Sequence, residues 1–170
     1  MKSLARSFDS FDAHLTRFSA RHAVSLLRVS VGVVFLWFGI LKFFPGLSPA
    51  QDLATRTIAA LTFGAIPGSV SAPLLAALET TIGVGLVSGR HLRATLLLLL
   101  FQMAGTVTPL VLFPAETFTR FPFAPTLEGQ YILKNVVLLS AAILIGATVR
   151  GGLLIADPRA ARDARDRESR

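Results

Sequence analysis

The chain has 170 residues, of which 52% are hydrophobic and only 16% are charged. Soluble domains average about 45–50% apolar and about 25% charged residues, so these values exclude disorder for most of the chain, and the long apolar runs exclude a single soluble domain. The sequence contains no cysteine, which excludes disulfides, thiolate metal sites, iron–sulfur clusters and CxxC redox relays.

The first 22 residues predict an amphipathic helix. Their large apolar residues recur at alternating intervals of four and three, which places them on one helical face: Leu4, Phe8, Phe11, Leu15 and Phe18. We expect this helix to lie at the cytoplasmic membrane surface with its phenylalanines inward. Docking on a partner protein, or packing on the protein's own cytosolic end, are the alternatives.

Four stretches have the length and apolar character of transmembrane helices, each of about 20 residues. They are Val24–Phe44, Val70–Ser88, Leu92–Phe113 and Gln130–Val149. We expect Ser71 to cap the second span, and Thr108-Pro109 to kink the third. The predicted fold class is therefore an all-α membrane protein built as a four-helix bundle.

Two outer connections carry further signals. In the first, Ser48-Pro49-Ala50-Gln51 has the pattern of a capping box and predicts a short helix from about Pro49 to Phe63. The second, residues 114–129, holds three phenylalanines among three prolines, so we expect it to be ordered against the mouth of the bundle. It either caps a cavity or anchors at the membrane interface, and we favour anchoring.

The positive charges predict the orientation. Twelve of the 17 lysines and arginines fall on one side of the four-span topology and two, Arg56 and Arg120, on the other. The basic side is expected to be cytoplasmic, with both termini inside. The net charge of +7 thus reports topology, and nucleic-acid binding is not expected, because no basic segment is interleaved with stacking aromatics.

The predicted organisation has three parts: the amphipathic helix over residues 1–22, the membrane domain over 23–149 and an Arg-rich cytoplasmic tail over 150–170. From residue 157 onward the tail is almost free of large apolar residues. We expect it to be disordered or loosely helical, and able to contact anionic lipid headgroups.

Polar residues within the spans are the candidates for chemistry, since an ionisable group in the bilayer core costs at least about 2.5–3.5 kcal/mol. The candidate polar pocket, opening outward, consists of Glu79, Lys134, Asn135, Gln102 and Lys42. From side-chain tilt, Lys134 is the favoured partner of Glu79 and Lys42 the second, while Arg28 is expected to snorkel toward the cytoplasm. A purely structural Glu–Lys clamp is the alternative, and we favour it slightly over a functional pocket.

No catalytic residue set is evident. The three histidines, His14, His22 and His91, are all predicted at the cytoplasmic side, which argues against a bis-histidine haem. No HExxH, GxSxG or P-loop motif occurs, and no metal site is predicted.

The first span, Arg28 to Phe44, resembles that of DoxX-like membrane proteins, as do Glu79 in a Gly-rich second span and Gln130-Tyr131-Ile-Leu-Lys134-Asn135 opening the fourth. The similarity covers about residues 23–149. It implies a four-helix protein of the bacterial inner membrane, in a group linked with quinone-dependent sulfur oxidation and with oxidoreductase complexes that respond to thiol stress. The reactive-chlorine-resistance group ranks second, because its first loop differs.

The leading functional prediction is a membrane subunit or accessory of a redox system that contacts a quinone, the one cofactor we retain. Its expected partners are the lipid bilayer, a membrane or cytoplasmic redox protein, and a second copy in a homo-oligomer. The alternatives are a small-solute or ion permease, and a structural scaffold that recruits a soluble partner through residues 1–22 and the tail.

Overall fold

The computed structural model describes residues 2–44, 46–48 and 51–168. The elements in chain order are α1 (Lys2–Leu41), α2 (Gln51–Leu61), α3 (Gly68–Ser88), α4 (Leu92–Val107), α5 (Pro109–Leu112), α6 (Pro114–Thr117), β1 (Phe118–Arg120), β2 (Ala124–Pro125), α7 (Leu127–Thr148) and α8 (Pro158–Glu168). Four helices are long and apolar enough to cross a membrane, namely α1, α3, α4 continued by α5, and α7. The all-α, four-span fold class is confirmed.

Helix α1 runs without interruption for 40 residues, or about 60 Å. The amphipathic helix predicted over residues 1–22 therefore continues into the first span without a break, and its position at the membrane surface stays a prediction. The reason is that no proline or glycine stands between residues 2 and 31 to break the helix. Phe11, Leu15 and Phe18 are exposed along this extension.

Several predicted helix ends differ from the observed ones. Helix α3 begins at Gly68, so Ser71 does not cap it but lies buried in its first turn, with Oγ donating to the Gly68 carbonyl oxygen at 3.4 Å. Helix α2 is described from Gln51, and its expected start at Pro49 lies outside the described residues.

The predicted kink in the third span is a break. Helix α4 ends at Val107 and α5 begins at Pro109, since proline has no N–H to continue the hydrogen-bond ladder. The Thr108 hydroxyl donates to the Gly105 carbonyl oxygen at 2.6 Å and so satisfies one of the carbonyls left at the end of α4.

Helices α1 and α3 pack so closely that three glycines are required between them. A Cβ atom at Gly83 would lie 2.5 Å from the Leu36 amide nitrogen, and one at Gly39 would lie 2.7 Å from the Thr80 amide nitrogen. At Gly32 a Cβ would lie 2.9 Å from the Val87 amide nitrogen. Small residues allow this approach between membrane helices.

The apolar core lies between these two helices and the facing sides of α4 and α7. Its fully buried side chains are Ile82 and Leu86 of α3, Leu99 of α4 and Ile145 of α7. Phe35 of α1 and Met103 of α4 complete the contact with α3. This core fills the half of the bundle nearer the chain termini.

The second outer connection is ordered, as expected, but most of its aromatic surface points away from the bundle. Strands β1 and β2 form an antiparallel hairpin around the cis Phe121–Pro122 peptide bond. Phe121 and Phe123 are strongly exposed, whereas Phe118 is half-buried. Thr126 then caps α7, accepting from the Gly129 amide at 3.2 Å.

The tail is helical. In α8 the Asp157 Oδ1 accepts from the Arg159 amide at 2.8 Å, which caps the first turn. Apart from Pro158 at its start, α8 has no apolar side chain larger than alanine, so its helical form comes from local interactions rather than from a buried face.

Candidate functional site

The carboxylate of Glu79 joins three helices. Its Oε2 accepts from Lys42 Nζ at 2.6 Å, and its Oε1 accepts from Gln102 Nε2 at 2.6 Å. The Lys42 and Glu79 side chains are only 11% and 10% exposed. We call these three residues the Glu79 cluster.

Each member reaches the cluster from a different part of the bundle, namely α3, α4 and the turn that follows α1. Glu79 follows the buried Ala76 by one turn of α3, and Gln102 follows the buried Leu99 on the inward face of α4. Lys42 lies in the turn directly after α1, one turn beyond Gly39. Because Gly39 brings α1 against Thr80, the Lys42 side chain is within reach of the neighbouring Glu79.

Two buried polar atoms, one in the cluster and one on Thr80, which follows Glu79 in α3 and faces Gly39 of α1, have no hydrogen-bond partner among the described residues. They are the amide oxygen of Gln102 and the hydroxyl oxygen of Thr80. A buried polar group without a partner costs about 1–3 kcal/mol, so a hydrogen-bond partner for either atom would stabilise the bundle.

The expected pairing of Glu79 with Lys134 is not found. Lys134 is exposed and its Nζ lies 5.2 Å from the centroid of the Tyr131 ring. The inward face of α7 is set by the buried Ile132, and Lys134, two residues later, points about 200° around the helix from it. Asn135 is half-buried and forms no hydrogen bond through its side chain with the described residues.

Arg28 caps the end of α3, which is the end predicted to lie at the cytoplasmic side. Its Nη1 donates to the carbonyl oxygen of Leu86, and to that of Val87 at 3.2 Å. These carbonyls belong to the last turn of the helix, where the macrodipole favours a cation. Gly89, at φ 70°, ends α3 in the left-handed conformation beside the guanidinium.

An ion-pair cluster ties the outer connections together. Arg56 of α2 donates to both carboxylate oxygens of Glu116 in α6, at 2.8 and 2.5 Å, and to Asp52 Oδ2 at 2.9 Å. The hydrogen bonds from Arg56 lower the pKa of Glu116, and those acceptors raise the pKa of Arg56. Arg56 also lies over the Phe113 ring, 5.3 Å from its centroid.

The Glu79 cluster is chemically suited to exchanging protons and hydrogen bonds with a bound molecule. It brings together a nearly buried ammonium and carboxylate and an amide oxygen that has no partner among the described residues. No group of three or more histidine, cysteine, aspartate or glutamate side chains that could hold a metal lies in the part of the chain that the structure describes.

With this geometry established, the comparisons place the chain. A family model described as DoxX matches residues 23–113. The chain belongs to the DoxX family. The match begins where the amphipathic extension ends, contains Lys42, Glu79 and Gln102, and stops before α7, so the likeness of the fourth span rests on its residues alone. No curated protein and no solved structure matches this DoxX protein.

The capping role of Arg28 and the Arg56–Glu116 pair were missed by sequence reasoning. For Arg28 a signal is present: it lies near the inner end of the first span, at the depth where the second span ends at Ser88-Gly89. Arg56 and Glu116 are of opposite charge on the same predicted side, but 60 residues apart, and only the fold brings them together.

Proposed function

We propose that this DoxX-family protein is a membrane subunit of a bacterial redox system that binds a quinone headgroup at the Glu79 cluster. The observation that carries the proposal is the buried amide oxygen of Gln102, which has no hydrogen-bond donor among the described residues. A quinol hydroxyl would supply that donor, and the unpartnered Thr80 hydroxyl would donate to a quinone carbonyl.

The surroundings of the cluster support a lipid-soluble ligand. Glu79 and Gln102 are buried between apolar helices, and the neighbouring outer surfaces are apolar, with Trp37 and Phe38 of α1 exposed toward the bilayer. Because the sequence has no cysteine, thiol redox chemistry would have to come from a partner protein. Lys42 and Glu79 would hold the proton nearest the bound headgroup.

A permease has less support. It needs a polar path through the whole bundle, whereas the half of the core beyond Glu79 is filled by Phe35, Ile82, Leu86 and Leu99. A scaffold that recruits a soluble protein is the second candidate, because α1 extends about 30 Å beyond the length that a bilayer core requires. Loss of a co-purifying partner on deletion of residues 1–22 would favour it.

The quinone proposal is tested by measuring quinone retained by the full-length protein purified from membranes. We expect Thr80→Val and Gln102→Leu to lose quinone, whereas Gln130→Leu, at an exposed glutamine of α7, retains it. Thr80→Val removes a hydroxyl that makes no hydrogen bond with described residues, so it should leave folding intact. Equal retention by wild type and both cluster variants would contradict the proposal.

The orientation proposed for the protein in the bacterial inner membrane has both termini in the cytoplasm, as the excess of basic residues on that side favours. The absence of cysteine makes the test direct. A single cysteine introduced at Ser10 or at Ala160 should resist a membrane-impermeant thiol reagent in intact cells, and one at Thr119 should react.

A further inference from the structure

A groove opens on the surface of the bundle between α4 and α7, at the end of these helices nearer the C-terminal tail. Its volume is about 340 Å³, and the residues that define it are Arg93, Leu97, Leu100, Gly146, Ala147 and Arg150. It is separate from the Glu79 cluster, because none of that cluster's three residues lines it.

The groove exists because α7 presents small residues where α4 presents leucines. A Cβ atom at Gly146 would lie 3.7 Å from Leu96 Cδ1, which is ordinary van der Waals contact rather than a clash. Leu97, Gly146 and Ala147 are exposed along its length. The walls are therefore apolar and open on the side of the bundle that faces the bilayer.

The end of the groove is positively charged. Arg93 and Arg150 both line it, and neither forms a hydrogen bond or an ion pair through its side chain with any described residue. No acidic residue in the part of the chain that the structure describes lines the groove. An anion bound beside the two guanidinium groups would offset their positive charge.

Helix α4 adds to the same potential. Its N-cap residue His91 provides no side-chain hydrogen bond, and its first turn carries Arg93 but no acidic residue. The N-terminal end of a helix carries a positive partial charge and free N–H groups, which an anion stabilises. The start of α4 thus lacks the negative partner that most helix starts have.

We propose that this groove, which we call the α4–α7 groove, is a binding site for an anionic phospholipid. The phosphate would lie between Arg93 and Arg150, and one acyl chain would run along Leu97, Leu100 and Gly146. Basic pockets between transmembrane helices on the cytoplasmic side bind anionic headgroups in this way. The apolar walls beyond the arginines select a lipid over a free anion.

The test is native mass spectrometry of the full-length protein titrated with phosphatidylglycerol or phosphatidylcholine. We expect phosphatidylglycerol to bind preferentially, and Arg93→Gln/Arg150→Gln to weaken that binding by on the order of tenfold or more. The matched control, Arg90→Gln/Arg159→Gln, removes two exposed arginines outside the groove and should bind as wild type does.

A second variant and a soluble ligand distinguish a bound phospholipid from a free anion and from a second copy of the chain. Ala147→Phe fills the apolar wall without changing charge and should also weaken phosphatidylglycerol binding, while Ala104→Phe, exposed on α4 outside the groove, should not. Glycerol phosphate, a headgroup without chains, should not compete. Three results would overturn the proposal. Both arginine double variants could lose phosphatidylglycerol binding equally, or glycerol phosphate could compete effectively. The protein could also form a dimer in place of binding lipid, and Ala147→Phe would then dissociate that dimer.

Discussion

The helix pairs α1–α3 and α4–α7 are held together in opposite ways. Between α1 and α3, a Cβ atom at Gly83 would come within 2.5 Å of the Leu36 backbone, and polar contacts from Lys42 and Arg28 fasten the pair near both ends. Between α4 and α7, Gly146 leaves an ordinary 3.7 Å contact, and the surface between the helices opens into a groove.

This difference follows from the bilayer as solvent. Lipid tails are as apolar as leucine, so helices associate through close packing and interhelical polar contacts rather than through burial of apolar area. The pair α1–α3 uses both, and therefore forms the rigid part that positions Glu79. The pair α4–α7 uses neither fully, which leaves room for a lipid.

The largest effect is expected from Lys42→Met. It leaves the Glu79 carboxylate buried without its cation, and breaking a buried pair in this way costs about 3–5 kcal/mol. Lys134→Met is the matched control, since Lys134 is exposed, lies over the Tyr131 ring and forms no ion pair with the described residues. Unfolding in SDS titrations should show a large loss for the first variant and a small one for the second. A larger loss at Lys134 would refute the assignment.

Gly83→Ala should come next, at about 1–3 kcal/mol, because its Cβ would collide with the Leu36 backbone, which moves less easily than a side chain. The same substitution at Gly146 has space and gains helix propensity, so it should be neutral or slightly stabilising. The comparison, made by thermal unfolding in detergent, would fail if both variants lost stability equally.

Arg28→Gln should cost about 1–2 kcal/mol, since it removes a cation from the last turn of α3 and the hydrogen bonds to Leu86 and Val87. The effect should be local: hydrogen exchange is expected to rise at the end of α3 and not at the end of α7. Arg90→Gln, two residues beyond Ser88 and exposed, is the control. Unchanged exchange at Leu86–Ser88 would remove the capping role.

The smallest effect belongs to the exposed Arg56–Glu116 pair, which lies outside both helix pairs. The pKa of Glu116 is lower in the folded protein than in the unfolded chain. The pair therefore stabilises the fold at pH values above the pKa that Glu116 has in the unfolded chain, and this stabilisation is lost as the pH falls through the pKa of the folded state. Between about pH 7 and about pH 3, the wild type should therefore lose more stability than Arg56→Gln. Parallel pH profiles would show that the pair contributes nothing.

The depth of each polar residue along its membrane span was the feature best predicted from the sequence. Counting about 1.5 Å per residue places Glu79 and Gln102 near the middle of their helices, and the structure joins them at 2.6 Å. The break at Thr108-Pro109 was predictable for a similar reason, because proline acts through the local backbone.

Rotation about each helix axis was not predictable in α7. Its residues are apolar nearly all round, so hydrophobic periodicity does not say which side faces the bundle. Depth alone made Lys134 a reasonable partner for Glu79, whereas the burial of Ile132 turns Lys134 outward. Glu79 pairs with Lys42 rather than Lys134 because α1 approaches α3 closely at Gly39, and only the packed structure shows this approach.

The central claim is that Lys42 and Glu79 form the buried ion pair that joins α3 to the end of α1. A double-mutant cycle tests it most directly. Unfolding free energies of Lys42→Met, Glu79→Gln and the double variant should give a coupling energy on the order of 1–3 kcal/mol, and the cycle of Lys134→Met with Glu79→Gln should give none. Simple additivity for Lys42 and Glu79, or coupling of Glu79 to Lys134, would contradict the account.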